Sequence, residues 1–324
     1  MLDYAGLGLP VSGIDRGVCD LTDAAGTTRV VREIEPSCII HTAAVTHVDW
    51  CESHPEETWR ANVEASRTLA QIARRIGAGM VYISTDSVFD GARGYYGEAD
   101  EPGPLNVYAR SKLAGERAVL AEAPDALVVR TVIYGWNLKK SCSTAGGQAI
   151  SLPHDEESSV GGPGWDGEDR PRGLSYKRRV NTRRPSLFQQ APKRSLAEWI
   201  LSQLTAGLDL PAFDDAVFSP ILVNDLGPLL LALLERRALG VCHVAADESW
   251  TKFEFARAVA KMFGFDPARV RRVSLRSAAM IAPRPLNTSL DTSNASRLLG
   301  MALPDVWEGL AGFRSAAKEE YACV

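Results

Sequence analysis

Tyr108 and Lys112 are the residues of this sequence whose types and spacing point most directly to chemistry. They lie one turn apart in a stretch with a helical pattern, so both side chains share one face. A phenol has a pKa near ~10 and is a poor acid or base at neutral pH, but an adjacent ammonium lowers that pKa. The pair predicts a proton-transfer site, although the same spacing is also common between surface neighbours.

Thr85 adds a hydroxyl group to this pair. The triplet Ser84-Thr85-Asp86 ends an apolar run, Met80–Ser84, that is typical of a buried strand. In open parallel sheets, ligands bind at the carboxyl ends of the strands. We therefore expect Thr85 to hold a substrate oxygen beside Tyr108, the alternative being a hydroxyl that only caps a loop.

Short apolar runs alternate with helical patterns through the first part of the chain, which is typical of βαβ units around a parallel sheet. Helices are predicted at about 55–77 and 106–121. The predicted strands are Pro10–Ile14, Cys38–Thr42, Met80–Ser84 and Leu127–Thr131. The sequence thus predicts an α/β fold with a doubly wound parallel sheet.

Residues 139–192 interrupt this pattern with a segment rich in glycine and proline, in which an acidic cluster precedes a basic one. Such a segment buries too little apolar surface to offset its ordering entropy, so we expect a disordered insertion. A capping-box pattern, Ser195-Leu-Ala-Glu198, then marks a new helix. Further predicted elements are helices Asn224–Arg237, Lys252–Phe263 and Ser293–Leu299 and strand Val241–Ala245, which we assign to a smaller second lobe. The expected divisions are 1–138, 139–192 and 193–324.

The composition excludes several classes of protein. A net charge of −4 gives neither the basic surface that nucleic acid requires nor a polybasic membrane signal. No apolar run approaches the ~18 residues of a membrane span, and the N-terminus does not have the pattern of a signal peptide. The six cysteines include no C-x-x-C pair, which argues against a zinc site or a disulfide framework. We expect a cytoplasmic protein without a metal.

Several longer motifs carry a family resemblance. They are Ser84-Thr-Asp-Ser-Val-Phe-Asp-Gly91, Pro104 to Glu116 around Tyr108, His41 to Asp49, Arg130 to Trp136, Pro220 to Leu226, Gly240 to Ala245 and Arg284 to Asp291. In this order they resemble dTDP-4-dehydrorhamnose reductase and its relatives among the extended short-chain dehydrogenases/reductases. The resemblance spans about residues 10–138 and 193–300, and it implies a Rossmann-type domain with a C-terminal substrate lobe.

The resemblance implies reduction of a 4-keto-6-deoxy nucleotide sugar with NADPH or NADH. Tyr108 would protonate the new alkoxide, Lys112 would hold the nicotinamide ribose and lower the Tyr108 pKa, and Thr85 would orient the carbonyl. Asn62 would brace the sheet from the following helix. The implied cofactor contacts are Asp15, Arg16, Asp20, Leu21, Ala43, Ala44, Tyr108 and Lys112. The implied substrate contacts are Thr85, Asp86, Val88, Phe89, Arg284 and Asn287.

The choice of cofactor stays open at Asp15-Arg16. A carboxylate at this position can hold the ribose 2′-hydroxyl of NAD, whereas an Arg accommodates the 2′-phosphate of NADP. Arg284 also has two interpretations. Its planar guanidinium suits a diphosphate, but the sequence does not distinguish a ligand-binding Arg from an Arg on the surface.

The sequence departs from the family at its start. The family begins with a strand and a glycine-rich loop that holds the pyrophosphate, but Gly6-Leu-Gly8 is followed by Leu9 and Pro10, without a third glycine. A full βαβ unit takes ~30 residues. We expect a sheet without its first strand, unpaired strand edges and weakened cofactor binding. A truncated coding sequence or a fragment explains this most simply, and 139–192 resembles translated non-coding sequence or a lineage-specific insertion.

Two rival functions remain. The regulatory β subunit of methionine adenosyltransferase resembles this chain through the same motifs, so the chain could be a non-catalytic partner of that enzyme's catalytic subunit rather than a homodimeric reductase. An epimerase or dehydratase fits less well. Dehydratases of this superfamily place acidic residues directly after the Thr, whereas Thr85 is followed by Asp86 and then Ser87.

Overall fold

Residues 11–137 and 194–321 are described by the computed structural model, and helices and strands alternate within them. The helices are α1 Ala24–Ile34, α2 Val48–Ser53, α3 Pro55–Trp59, α4 Ala65–Ile76, α5 Val107–Glu122, α6 Leu196–Thr205, α7 Val223–Glu235, α8 Lys252–Met262, α9 Ser293–Leu299 and α10 Val306–Tyr321. The strands are β1 Cys38–His41, β2 Gly79–Ile83, β3 Leu127–Arg130, β4 Ile133–Tyr134, β5 Leu210–Phe213, β6 Val217–Phe218, β7 Ile221–Leu222, β8 Gly240–His243, β9 Trp250–Thr251 and β10 Val270–Val273. Pro10 and the predicted insertion at 139–192 lie outside the described residues.

A parallel sheet in the order β1-β2-β3-β8 forms the centre of the fold. Val81 pairs with Leu127, and Val129 with Cys242, so the carboxyl ends of the strands meet at one edge. Helices α1, α4 and α5 pack on one face of the sheet, and α7 and α9 pack on the other. This is the doubly wound α/β architecture that the sequence predicts.

A smaller lobe has its own apolar core. Phe218, Phe255 and Phe313 lie at its centre, where α6, α8 and α10 pack together with β5 and β10. The capping box predicted at the start of α6 is confirmed, because Ser195 and Glu198 each bind the other's backbone amide. The lobe and the sheet belong to one compact unit.

Two predicted strands need correction. Residues 11–14 form no strand. The first strand of the family's sheet, beside which these residues would lie, is not found among the described residues. Among the described strands, β1 lies at one edge of the sheet. The strand predicted at Val241–Ala245 is not part of the smaller lobe, because Gly240–His243 pairs with β3 in the main sheet. An apolar run identifies a strand but not the sheet that it joins.

The long helix predicted at 55–77 contains a π-helical turn, Arg60–Glu64, between α3 and α4. Helix α5 crosses this turn at Gly115, where a Cβ atom would lie 2.4 Å from Tyr82 Oη and 2.7 Å from Asn62 O. Only a residue without a side chain permits this approach. The missing side chain therefore sets how closely α5, which carries Tyr108 and Lys112, packs on its neighbours.

Candidate active site

Polar contacts fix the start of α5 and thereby the position of Tyr108 in its first turn. Asn106 is almost fully buried and caps the helix, with its Oδ1 accepting from the Ala109 amide at 2.9 Å. Its Nδ2 donates to Pro283 O at 2.9 Å, and Glu52 accepts from the Val107 amide. The helix that bears the predicted acid is thus held to the C-terminal part of the chain.

Thr85 follows β2 directly and meets Tyr108 at the carboxyl edge of the sheet. Its Oγ1 accepts from the Ser87 amide at 3.2 Å and donates to Asp86 Oδ1 at 3.1 Å. Burial raises the pKa of Tyr108, the hydrogen bond with Thr85 acts in the opposite direction, and the Asp86 carboxylate raises the pKa further. The phenol is therefore protonated at neutral pH, which is the state that a proton donor requires.

Lys112 lies in the next turn of α5 and is 3% exposed. Its Nζ donates to Ile83 O at 2.8 Å and lies 4.0 Å from the centre of the Tyr82 ring. Burial lowers its pKa to about 7, with Glu116 acting in the opposite direction. The expectation that Lys112 lowers the Tyr108 pKa is not met as a net effect, because desolvation of the phenol dominates.

The lowered pKa of Lys112 predicts stability that increases with pH. Between pH 7 and the ordinary lysine value of 10.5, the unfolded chain binds a proton that the folded protein does not. Stability should therefore rise across this window by about 1.4 kcal/mol per pH unit, and the gain should be lost as the pH falls through 7. Urea unfolding of the wild type and of Lys112→Met from pH 7 to pH 10 tests this. Parallel curves for the two proteins would contradict it.

Asp86 is 5% exposed and joins this group to the C-terminal segment. Its Oδ1 accepts from Ser87 Oγ at 3.2 Å as well as from Thr85, and its Oδ2 accepts from Thr288 Oγ1 at 2.5 Å. Burial raises the Asp86 pKa, while Thr288, Lys252 and the other hydroxyls act to lower it. Neither Thr288 nor Lys252 is predicted from the sequence, because no local pattern distinguishes them.

Arg284 binds a carboxylate of the protein itself. Its Nη2 donates to Asp49 Oδ1 at 2.9 Å and its Nη1 to Ala282 O at 2.9 Å, and its side chain is 21% exposed. Arg284 also lowers the pKa of Lys252, so the two cations are close enough to interact. Asn287, by contrast, uses its Oδ1 to accept from the amide and hydroxyl of Ser289. Its role in the structure is to hold its own loop.

Val88 and Phe89 need correction as substrate contacts. Both side chains are fully buried in an apolar cluster with Tyr96, Leu113 and Leu290. Phe89 stacks on Tyr96 with 4.2 Å between ring centres. Side chains without exposed surface cannot touch a ligand, so these two residues support the loop that carries Thr85 and Asp86.

The predicted cofactor contacts lie before α1 and after β1. Asp15 Oδ1 accepts from the Gly17 amide beside Arg16, while Asp20 Oδ1 accepts from the amide and hydroxyl of Thr22. Leu21 packs against the apolar cluster under α1 and α4. Ala43 is exposed and Ala44 half-buried in the loop that follows β1. Ala43 and Ala44 therefore lie at the carboxyl end of the sheet, where Thr85 follows β2.

Asn62 ties this loop to α5, in keeping with the predicted brace. It lies in the π-helical turn, and its Oδ1 accepts from the Val45 amide at 2.8 Å. Its Nδ2 donates to Val45 O at 3.1 Å and to Ser111 Oγ at 2.9 Å. One buried amide thus connects the loop with Ala43 and Ala44 to the helix with Tyr108.

A buried ion pair lies beneath the site. Arg130, at the end of β3, donates through Nε and Nη2 to both carboxylate oxygens of Glu116, at 2.8 to 3.2 Å. Ser84 Oγ also donates to Glu116. The side chains of the pair are 5% and 3% exposed. This pair fixes α5 to the strand ends and is not predicted from the sequence.

A nicotinamide ribose fits the donors at this site. The Lys112 amino group has two N–H bonds when neutral and three when charged; Ile83 O accepts from one, and ribose hydroxyls are suitable acceptors for the rest. The described residues contain no glycine-rich loop for the pyrophosphate. Nor do they hold any group of three or more His, Cys, Asp or Glu side chains placed for a metal ion.

An apolar cavity of about 520 Å³ lies in the smaller lobe. Its lining includes Trp199, Ile200, Phe213, Lys252, Ala256 and Ser277. Lys252 therefore connects the cavity to Asp86.

Within the ranges described, every helix is too short or too polar to cross a membrane.

Comparison with known proteins identifies the family. A family described as the RmlD substrate binding domain matches residues 3–144 and 159–318. The chain belongs to this family. The resemblance to dTDP-4-dehydrorhamnose reductase and its relatives, inferred from the motifs around Thr85 and Tyr108, is thereby confirmed.

Individual relatives within or near the RmlD family differ in function. The chain is 34% identical over 281 residues to dTDP-4-dehydrorhamnose reductase of Mycobacterium tuberculosis, covering 84% of this chain and 74% of that one. It is 30% identical over 294 residues to methionine adenosyltransferase 2 subunit beta of Bos taurus, covering 88% and 72%. The crystal structure of dTDP-4-dehydrorhamnose reductase from Bacillus anthracis, in complex with NADP, superposes with a TM-score of 0.73 at 25% identity, covering 96% and 92%.

Proposed function

We propose that the chain is an NAD(P)H-dependent reductase of a 4-keto-6-deoxy nucleotide sugar. The observation that carries the proposal is the placement of Tyr108 beside Thr85 at the carboxyl edge of the sheet, one turn of α5 from the buried Lys112. Its support among relatives is the reductase of Mycobacterium tuberculosis and the NADP complex of the Bacillus anthracis enzyme.

Each polar group has a role in this reaction. The reduced nicotinamide, when bound, supplies the hydride. Tyr108 donates its phenolic proton to the substrate oxygen, and Lys112 donates to the ribose hydroxyls. Arg284 and Lys252 are two neighbouring cations that suit the diphosphate, and the apolar cavity next to Lys252 suits the base.

The second candidate is a regulatory subunit without catalysis. Its support is the 30% identity to methionine adenosyltransferase 2 subunit beta, which covers most of both chains. The same pocket would then bind a ligand without turning it over. Co-purification with a methionine adenosyltransferase catalytic subunit would favour this function.

The deciding experiment is an assay of the purified chain with a 4-keto-6-deoxy nucleotide sugar, following cofactor absorbance. We expect turnover with at least one of NADPH and NADH, and parallel assays with the two cofactors resolve the choice left open at Asp15-Arg16. No turnover with either cofactor would contradict the reductase function.

A further inference from the structure

Asp86 lies at the end of a hydrogen-bond chain that begins at the Tyr108 phenol. Thr85 is the middle member: its hydroxyl donates to Asp86 Oδ1 at 3.1 Å, and its interaction with the Tyr108 phenol acts to lower the Tyr108 pKa. A hydroxyl has one proton and two lone pairs. With Asp86 ionised, Thr85 gives its proton to Asp86, and its lone pairs face the phenol and the Ser87 amide. The charge on Asp86 therefore decides which way Thr85 donates.

The surroundings of Asp86 favour its protonated form. The carboxyl is 5% exposed, and its bonding partners are the hydroxyls of Thr85, Ser87 and Thr288. Within residues 11–137 and 194–321, no Lys or Arg forms an ion pair with it. The titratable groups that face it are Tyr108 on α5 and Lys252 on α8. Burial accordingly raises the Asp86 pKa.

We propose that Asp86 is a buried acid that returns a proton to Tyr108 through the Thr85 hydroxyl after each reduction. The inference rests on the proposed function, because it supplies the proton that the reduction consumes. When Asp86 carries a proton it donates to Thr85, and the Thr85 hydrogen then turns towards Tyr108. Asp86, Thr85 and Tyr108 then form a hydrogen-bond chain in which each donor points towards Tyr108.

The transfer balances. In the reduction the Tyr108 O–H bond breaks, and its proton forms the O–H bond of the product alcohol, while the reduced nicotinamide supplies the electron pair as hydride. The Thr85 O–H bond then breaks as the Tyr108 O–H bond re-forms, and the Asp86 O–H bond breaks as the Thr85 O–H bond re-forms. Asp86 is left ionised and takes one proton from water. Each cycle consumes one proton, as reduction of a carbonyl by hydride requires.

Lys252 provides the route from solvent to Asp86. It begins α8, faces Asp86, and lines the cavity of about 520 Å³. Burial and the charge of Arg284 lower the Lys252 pKa. An amino group between a buried carboxyl and a cavity that is open to solvent once the product has left is placed to pass protons inward.

The kinetic test is Asp86→Asn, which keeps the size and the acceptor oxygen but cannot release a carboxyl proton. With Tyr108 already protonated, the first hydride transfer in stopped-flow should stay within about twofold of the wild type. Steady-state kcat should fall at least about tenfold, with KM within about threefold. The matched control is Asp266→Asn, an exposed cap that accepts from the Ala268 amide, and it should leave kcat unchanged.

The same experiment separates other roles. A group that only binds substrate would raise KM, and a group that only supports the loop would slow the first turnover as much as later ones. Either result would overturn the relay, as would an unchanged kcat in Asp86→Asn. Absence of turnover by the wild type itself would contradict the proposed function instead.

A second measurement needs no turnover. The ultraviolet absorbance of phenolate, taken as the wild type minus Tyr108→Phe, reports the titration of Tyr108. Removing the negative charge of Asp86 should lower the Tyr108 pKa by about one pH unit or more in Asp86→Asn. An unmoved titration would show that the two groups are not coupled, and would overturn the relay whatever the assay shows.

Thr288→Val keeps the test decisive if Asp86→Asn does not fold. The change removes the hydroxyl that donates to Asp86 Oδ2 and leaves the acid in place. The Thr288 bond stabilises the ionised carboxylate, so its loss should raise the Asp86 pKa. The pH above which kcat falls should therefore rise by about one pH unit. A pH profile identical to that of the wild type would contradict the proposal.

Discussion

Replacing Tyr108 with Phe is expected to reduce kcat by about 10²- to 10⁴-fold while leaving the protein folded. The change removes one oxygen and keeps the ring, which packs at the start of α5. The lost group is the protonated phenol beside Thr85, and a water molecule would have to replace it as the acid. Cofactor absorbance measures the activity, and circular dichroism on heating measures the melting temperature.

Tyr95→Phe is the matched control for this variant. Tyr95 is 66% exposed, so loss of its hydroxyl should change neither kcat nor the melting temperature. A Tyr108→Phe protein with wild-type kcat would contradict the assignment of the phenol as the acid. A large fall in its melting temperature would indicate a structural role instead.

Glu116→Gln is expected to lower the free energy of unfolding by about 3–5 kcal/mol. Glutamine keeps the shape of the side chain and can still accept from Ser84, but it removes the negative charge. The Arg130 guanidinium would stay 5% exposed without a counter-charge, and its Nη1 makes no hydrogen bond to the described residues even in the wild type. Urea denaturation measures the loss as a lower midpoint.

The exposed ion pair between Arg271 and Asp209 is the control for this measurement. Its side chains are 66% and 49% exposed, so Asp209→Asn should cost less than about 1 kcal/mol. Equal losses in the two variants would show that burial does not determine the strength of these ion pairs. A Glu116→Gln protein as stable as the wild type would mean that α5 moves to let water reach Arg130.

Local patterns in the sequence are sufficient to predict three strands of the main sheet and to place Tyr108 and Lys112 on one helix. The apolar runs at 38–42, 80–84 and 127–131 correspond to β1, β2 and β3, and the helical spacing places Tyr108 and Lys112 on α5. These features depend on residues a few positions apart. The same reasoning cannot assign β8 to a sheet, because the pairing partner of a strand is remote in sequence.

Contacts between distant segments could not be predicted from the sequence. Asp86 meets Thr288 and Asp49 meets Arg284 only after the C-terminal segment returns to the sheet edge. The two-residue strands β4, β6, β7 and β9 are too short to show an alternating pattern. The raised pKa of Tyr108 likewise depends on burial, which the spacing of Tyr and Lys does not reveal.

The close crossing of α5 at Gly115 affects how this protein tolerates mutation. Alanine is the better helix former, so on propensity alone Gly115→Ala would appear to be an improvement. Its methyl group would nevertheless meet the backbone of Asn62 and the hydroxyl of Tyr82, and α5 would have to move away. Helix α5 also carries Tyr108, the proposed proton donor. In the proposed reductase, selection on catalysis can therefore act on a glycine that takes no part in the chemistry, through the position of the helix alone.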